Sequence, residues 1–294
     1  MSQTNIFQEK RLKTNIIKAL LNIEEIINSN DEIILEEIYS GKNRMNNMGT
    51  ALEHFCKDAF CKSYDIEKDK KINSYRKYLS YLGNSNNPPD FILRNGAGIE
   101  VKKIGSIGAT LQLNSSFPKD SLHSDDSRIK KGCRNCEDTS WKKKDLIYAI
   151  GYVKKKRLKL LWLIDASLYA ADREVYLDTF NGLKEHIEDS PYELNKSTNE
   201  LARLNKVDPL GITSLRVRGM WLLDNPKNVY NYLDIDLDSD DSTDIVCLIS
   251  KDKYNKINRD DLKRIENSSY EVVDIKIKDP NNPINQIDTK LIKK

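Results

Sequence analysis

The clearest helical pattern lies near the start of the chain. Over residues 6–27, isoleucine and leucine recur at three- and four-residue spacing, which is typical of an amphipathic helix. A second helix is predicted over 48–62, where one face is apolar and consists of Ala51, Leu52, Phe55, Cys56, Ala59 and Phe60. Its other face is predicted to be polar and to carry Glu53, His54, Lys57 and Asp58.

A β-hairpin is predicted directly after a segment rich in turn-forming residues. Residues 81–90, YLGNSNNPPD, contain Gly, Asn and two prolines, which indicates a break between elements. Apolar runs at 90–94 and 98–104 then flank the pair Asn95-Gly96. Because Asn and Gly tolerate positive φ, this pair between two apolar runs is typical of a tight hairpin turn.

The rest of the pattern indicates a mixed fold. Residues 105–140 are polar and irregular, and the residues after 250 predict a frayed tail. Further elements are predicted as strands at 145–153 and 158–166, a helix at 173–187, and strands at 212–223 and 245–250. This order predicts an α/β or α+β fold with a mixed central β-sheet flanked by helices.

Three regions are expected along the chain. The first is a helical segment over 1–40, whose apolar face makes it a candidate dimer or clamp element. A core over 41–233 and a C-terminal extension over 234–294, packed on the same domain, are expected to follow.

Composition mainly excludes classes of protein. With 294 residues, 38% of them hydrophobic, the chain can bury a sizeable core. No stretch approaches the roughly 18 uninterrupted apolar residues of a membrane span. The polar start MSQTNIFQEKRLK is not a secretory signal. Five cysteines are an odd number and too few to stabilise a chain of this length by disulfide bonds, so a reducing cytoplasm is expected.

The candidate chemistry lies on the predicted hairpin. Asp90 begins its first strand, and Glu100-Val101-Lys102 lies in the second. Since side chains alternate along a strand, Glu100 and Lys102 share one face and Val101 points into the core. Two close carboxylates repel unless a cation lies between them, and Mg²⁺ prefers such oxygen ligands. This set suits phosphodiester hydrolysis, although so short a pattern also occurs by chance.

Longer stretches carry a resemblance to a known family. The runs NRMNNMGTALEHFCKDAF, YLGNSNNPPDFILRNGAGIEVKKI, LNSSFPKDSLHSDDSRI, CRNCE and KDLIYAIGYV resemble the NgoPII family of type II restriction endonucleases. The hairpin motif is similar to that of the PD-(D/E)XK nuclease fold. The resemblance covers about residues 43–153 and extends more loosely to about 225.

The resemblance implies a Mg²⁺-dependent homodimer that cleaves double-stranded DNA at a specific sequence, GGCC, and leaves 5′-phosphate ends. It implies catalytic roles for Asp90, Glu100 and Lys102. The implied metal ligands are Asp90, Glu100 and the carbonyl of Val101, with Glu53 in support. A DNA methyltransferase is the implied genetic partner, because a host must shield its own sites.

Several polar residues are candidates for DNA contacts, although turns and solvated surfaces explain each of them equally well. Amide and hydroxyl side chains bind bases and phosphates, and arginine is the commonest partner of guanine. The candidates are Asn87, Gln112, Asn114, Ser115, Ser116, Arg128, Arg134, Asn135, Arg216 and Arg218.

Other sites are disfavoured. Cys133 and Cys136 form one CxxC, but a structural zinc site needs four ligands and no second pair is present. The acidic loop at 234–244 lacks the Gly and Glu of a calcium loop. Two alternatives stay open: a structure-selective or repair nuclease of the same fold, and a DNA-binding protein without catalysis.

We predict that at least one candidate arginine reads guanine. Replacing Arg128, Arg134, Arg216 and Arg218 by alanine is therefore expected to reduce cleavage rate or sequence preference, since each good contact with guanine contributes about 1–3 kcal/mol of discrimination. Digestion of DNA of known sequence measures both. Unchanged rate and preference in the fourfold variant would contradict the hypothesis.

Overall fold

The computed structural model describes residues 11–30, 32–35, 44–84, 87–189, 194, 200–233, 235, 237 and 242–294. The helices are α1 (Ile16–Ser29), α2 (Arg44–Cys61), α3 (Lys68–Tyr78), α4 (Lys131–Arg134), α5 (Arg173–Glu188), α6 (Pro226–Val229), α7 (Lys251–Tyr254) and α8 (Arg259–Glu266). The strands are β1 (Leu79–Asn84), β2 (Asn87–Leu93), β3 (Gly98–Ile104), β4 (Leu111–Asn114), β5 (Ser121–His123), β6 (Lys143–Lys154), β7 (Arg157–Asp165), β8 (Ala202–Leu204), β9 (Leu215–Val217), β10 (Trp221–Leu223), β11 (Asp244–Ser250), β12 (Glu271–Lys278) and β13 (Gln286–Lys293).

A large mixed sheet organises the molecule. Within the described part of the chain, nine strands join in the order β1-β2-β3-β6-β7-β11-β13-β12, with β5 pairing along β6. The pairs β3–β6 and β7–β11 are parallel and the other neighbours are antiparallel. The predicted mixed central sheet is therefore confirmed. None of the described helices is long and apolar enough to cross a bilayer.

Alternation along the central strands gives the sheet an apolar core on each face. In β7, Leu161 and Leu163 belong to one core, and Leu160 and Trp162 belong to the other. Helices α1, α2 and α8 cover the first core. The apolar face of α1 is buried there against its own chain, which gives that face an intramolecular partner.

Local signals placed most of the predicted elements well, including the strands that correspond to β6, β7 and β11 and the helix that corresponds to α5. Helix α2 matches the helix predicted over 48–62, and β2 and β3 form the predicted hairpin. Asn95 takes a positive φ of 53° in the hairpin turn. The first helix is shorter than predicted because Asn15 caps it, its side chain accepting the Lys18 N–H at 3.0 Å. Residues 6–10 of that prediction lie outside the described range.

The predicted break at 81–90 was wrong, because β1 and β2 occupy most of it. Pro88 and Pro89, joined by a cis bond, fall at a register shift between the two strands. Proline lacks the N–H that a regular ladder requires, so it is tolerated at such an irregularity. The prediction of one strand over 212–223 was also wrong, since β9 pairs with β8 and β10 pairs with β4.

The chain after residue 250 is ordered, so the prediction of a frayed tail was wrong. β13 lies inside the sheet between β11 and β12 and pairs with both along its length. Its apolar residues Leu291 and Ile292 belong to opposite cores. The strand was missed in the sequence because its polar residues lower the mean hydropathy of QIDTKLIK.

The polar face predicted for α2 is partly buried. Lys57 and Asp58 have only 8% and 3% of their surface exposed. Asp58 accepts hydrogen bonds from Ser63 Oγ at 2.7 Å and Tyr75 Oη at 2.8 Å, and it pairs with Lys71. Because Tyr75 and Lys71 lie on α3, this buried carboxylate fastens α3 to α2.

Helix α2 approaches β6 closely at Gly151. A Cβ atom at this position would lie 2.6 Å from Cδ2 of Leu52, which is fully buried. Leu52 precedes Glu53 in α2, so this close contact lies one residue from a candidate site residue.

We expect Gly151→Ala to lower the free energy of unfolding by about 1–3 kcal/mol, because the added methyl group overpacks the helix against the sheet. The double variant Gly151→Ala/Leu52→Ala is expected to lose less free energy of unfolding than the sum of the two single variants, because the smaller side chain at position 52 leaves room for the methyl group at position 151. Urea unfolding measures these effects. Gly182→Ala in α5 is the control: a Cβ added there has no atom within 4 Å, so the free energy of unfolding is expected not to fall. Strict additivity would contradict the proposed contact.

Candidate active site

The open end of the β2–β3 hairpin brings Asp90 to Glu100. Phe91 pairs with Ile99, so the residues beyond this pair, Asp90 and Glu100, lie side by side at the end of the ladder. Asp90 Oδ2 accepts the backbone N–H of Val101 at 2.6 Å. This bond fixes one carboxylate against the backbone of the strand that carries the other.

Glu100 and Lys102 lie on one face of β3, as alternation predicts. Lys102 Nζ is 2.6 Å from Glu100 Oε1. The other oxygen, Glu100 Oε2, is buried and has no hydrogen-bond partner. Val101 lies on the opposite face and packs against the core beneath α2. The site therefore holds two carboxylates, one ammonium and one unsatisfied carboxylate oxygen.

The charges of Asp90, Glu100 and Lys102 act strongly on one another. Burial and the neighbouring Glu100 carboxylate raise the pKa of Asp90 well above its usual value, and Lys102 offsets part of the effect. Burial disfavours the ammonium form of Lys102, but Glu100 and Asp90 outweigh it, so the pKa of Lys102 is raised. Lys102 therefore remains protonated at neutral pH and serves as a hydrogen-bond donor.

The donor set fits a hard cation. Glu100 Oε2 is buried and has no hydrogen-bond partner. Burial and repulsion from Glu100 raise the pKa of Asp90, and a cation between the two carboxylates would relieve that repulsion. Among the described residues, no three His, Cys, Asp or Glu side chains gather into a metal-binding group. Two carboxylates with bound waters suit Mg²⁺, which keeps several waters in proteins.

Glu53 is not gathered with the two hairpin carboxylates. Its Oε1 accepts from Lys57 Nζ at 2.6 Å on the same helix. Its charge nevertheless reaches the site, because it contributes to the raised pKa values of both Asp90 and Lys102. The structure thus places Glu53 within electrostatic range of the site, paired with a lysine.

Four of the predicted DNA contacts lie around one cavity of about 390 Å³: Ser115, Arg128, Arg216 and Arg218. Arg128 also lines a neighbouring cavity of about 550 Å³, together with Asn87. Asn87 donates to the Arg128 carbonyl at 3.0 Å, so these two candidates are physically linked.

Four other candidates, Gln112, Ser116, Arg134 and Asn135, line neither cavity. Arg134 donates to the Asp126 carbonyl at 2.8 Å, which gives it a role in holding the loop. Asn135 is exposed at the end of α4, and Gln112 is exposed on β4. Ser116 is half-buried just after β4. The side chain of Asn114 lies outside the described part of the structure.

Sequence reasoning missed Lys119, which is buried and pairs with Asp126. Its ammonium lies 4.1 Å from the centre of the Phe117 ring, and its backbone N–H donates to Tyr148 Oη at 2.9 Å. Tyr148 is the β6 partner of Glu100. Lys119 is thereby tied to the face of the sheet that carries Glu100 and Lys102, and no local sequence signal marks it.

The pair Cys133 and Cys136 gains no further metal ligand in the described part of the chain. Cys133 is buried and Cys136 accepts a hydrogen bond from Ser80 at 3.7 Å. Burial raises the pKa of both thiols. All five cysteines are free.

The carboxylate pair, the lysine and the basic cavities beside them are typical of a nuclease. Comparison with known proteins agrees: a model of the NgoPII restriction endonuclease family matches residues 14–279. The chain is 43% identical to the type II restriction enzyme NgoPII of Neisseria gonorrhoeae over 281 residues, which cover 95% of this chain and 98% of that protein. No solved structure matches the chain.

The chain therefore belongs to the NgoPII restriction endonuclease family. It is an enzyme of the site-specific deoxyribonuclease class.

The raised pKa of Asp90 predicts a gain in stability from Asp90→Asn. Stability from this group is complete below the unfolded-state pKa and is lost as the pH rises through the raised folded-state pKa. Asparagine cannot ionise and keeps an oxygen for the Val101 N–H. In EDTA at pH 8, we expect the free energy of unfolding to rise by on the order of 1 kcal/mol, a gain that shrinks toward pH 4.

Urea unfolding across this pH range measures the effect. Asp65→Asn, at an exposed position outside the site, is the matched control. A gain that is equal at all pH values, or that also appears in the control, would contradict the assigned repulsion.

Proposed function

We propose that the protein is a Mg²⁺-dependent type II restriction endonuclease that cleaves double-stranded DNA and leaves 5′-phosphate and 3′-hydroxyl ends. The observation that carries this proposal is the group formed by Asp90, Glu100 and Lys102, in which a buried carboxylate oxygen has no partner. Family membership supplies the class of reaction.

Asp90 and Glu100 are the residues that would hold the metal, with the Val101 carbonyl beside them. When bound, Mg²⁺ supplies a water of lowered pKa and neutralises charge on the scissile phosphate. Lys102, which donates to Glu100 beside the metal-binding oxygens, would donate a hydrogen bond that orients the attacking water and stabilises negative charge on the phosphate. Glu53, paired with Lys57, supports the site by its charge from α2.

We further assign the core to the PD-(D/E)XK fold. Its support is local: a carboxylate opens one strand of a hairpin, Glu-x-Lys lies in the next strand, and α2 packs over β3. The proposal extends to the region boundaries, with a core over 41–233. The 234–294 region contributes β11, β12 and β13 to the same sheet, consistent with packing on one domain.

Recognition of GGCC, a homodimer and a cognate methyltransferase complete the proposal. A palindromic site is matched by a two-fold protein. The buried apolar face of α1 no longer argues for a dimer role of residues 1–40, because it packs against α2 and α8. Five free thiols fit a reducing cytoplasm.

A variant series tests the proposal. With Mg²⁺, we expect Lys102→Ala and Glu100→Gln to lower the cleavage rate at least about 10²-fold, because each removes a group that acts on the reacting phosphate or its metal. The matched control is Lys103→Ala, which removes the neighbouring lysine on the opposite face of β3. The measurement is digestion of unmethylated plasmid with Mg²⁺ or EDTA, followed by sequencing of the fragment ends.

Discrete Mg²⁺-dependent bands with GGCC at their ends would support the full proposal, and bands with another sequence would correct the recognition site. Cleavage of branched DNA but not plain duplex would favour a structure-selective nuclease. Binding without cleavage in the wild-type protein would favour a non-catalytic DNA-binding protein and overturn the proposal.

A further inference from the structure

A basic cavity is lined by residues that follow β4, β5 and β9, and the chemistry described so far does not use it. Its volume is about 390 Å³, and four of its lining side chains are arginines: Arg128, Arg203, Arg216 and Arg218. One carboxylate, Glu200, lies among them. Four guanidinium groups against one carboxylate leave a large positive excess, which suits a partner rich in hydrogen-bond acceptors.

Glu200 holds two of the arginines in a clasp. It accepts from Arg216 Nε at 2.8 Å and from Arg218 Nε at 2.6 Å, and Arg216 Nη2 is 2.5 Å from the same Glu200 oxygen. Arg216 lies in β9, and Arg218 is the first residue after that strand. Because the two arginines are two residues apart in extended backbone, their side chains share one face. These contacts lower the pKa of Glu200 to about 2, so the clasp is charged at every working pH.

The clasp leaves hydrogen-bond donors available. Arg218 donates to Glu200 through Nε, and its Nη1 and Nη2 have no other hydrogen-bond partner among the described residues. Arg128 Nη1 is buried at the same cavity and also has no partner. A guanidinium fixed at Nε presents a planar pair of N–H groups, which is the geometry that matches two adjacent acceptors.

The cavity shares two lining residues with a neighbouring cavity that extends toward the strand of Asp90. Arg128 and Phe180 line both this cavity and the neighbouring one of about 550 Å³. That second cavity reaches Asn87, three residues before Asp90 on β2, and Lys119. The residues that line the two cavities therefore extend from the clasp to the strand that carries Asp90.

We infer that this cavity receives the major-groove edge of a guanine base, that the free guanidinium end of Arg218 donates to its O6 and N7, and that Glu200 is the positioning residue that holds Arg218 beside Arg216. The inference rests on the proposed function and assigns its base-reading site. The geometry favours guanine over phosphate, because the planar pair of N–H groups on Arg218 matches O6 and N7 of the base edge. The Glu200 carboxylate beside that pair weakens the attraction for a phosphate, whereas it leaves a neutral base edge unaffected.

A protein–DNA double-mutant cycle tests the guanine assignment. The substrates are short duplexes carrying the cleaved sequence, with guanine or with 7-deazaguanine, which lacks the N7 acceptor, at each guanine in turn. For the wild-type protein, we expect 7-deazaguanine at one position to lower kcat/KM by about 10- to 100-fold. For Arg218→Ala, we expect a similar loss on ordinary DNA and no further loss on that analogue.

Two variants separate this role from a purely structural one. Arg218→Lys keeps the charge but loses the fork, so it is expected to behave as Arg218→Ala does. Arg203→Ala is the matched control, because Arg203 lines the same cavity but bonds to Asn205. It is expected to keep full sensitivity to 7-deazaguanine.

Glu200→Gln tests the positioning role. The amide keeps the size of the side chain and loses its charge, so the arginines are held less firmly. We expect the preference for the cognate site over sites with one changed base to fall by about tenfold or more, with cleavage retained. Glu200→Asp is expected to recover part of that preference. An unchanged preference in Glu200→Gln would overturn the positioning role.

The opposing outcomes are distinct. If 7-deazaguanine and Arg218→Ala act additively at every guanine, the guanine assignment is wrong. If Arg218→Ala weakens binding to all sequences equally and lowers the salt dependence by about one unit of slope, the cavity binds phosphate instead. If the wild-type protein cuts no duplex at all, the proposed function fails and this inference falls with it.

Discussion

Repulsion between Asp90 and Glu100 is the constraint around which the site is built. Two carboxylates lie at one end of a hairpin, one fixed by a backbone N–H and the other by Lys102. The protein gives them one ammonium and leaves Glu100 Oε2 unsatisfied. The fold must therefore supply enough stability elsewhere to hold charges that a cation would neutralise.

The surrounding packing provides that rigidity. β3 lies inside the sheet, with β2 and β6 on either side, and α2 packs against it from one face. Gly151 allows α2 to descend onto β6, and buried Asp58 fastens α3 to α2. On the other face, Tyr148 links the strand beside Glu100 to Lys119. The site thus depends on residues from segments far apart in sequence.

Sequence reasoning succeeded where the determining forces were local. The pair Asn95-Gly96 predicted the hairpin turn, and Asn95 has a positive φ in the structure. The alternation of side chains along a strand predicted that Glu100 and Lys102 share one face, where they form an ion pair. It failed where a partner decided the outcome. The prolines of β2 were read as a break because the register shift that accommodates them belongs to the pairing with β1. Strand β13 was read as a tail because its burial depends on two neighbouring strands.

By itself, the sequence determined the pattern of Asp90 and Glu100-Val101-Lys102, the hairpin that carries it and the family to which the chain belongs. These depend on residue type and short spacing, which the chain displays directly. Only the tertiary structure decided which polar groups face one another. Glu200 meets Arg216 and Arg218, and Lys119 meets Tyr148, through contacts between distant segments. Such contacts arise from packing of the whole chain, so no local pattern records them.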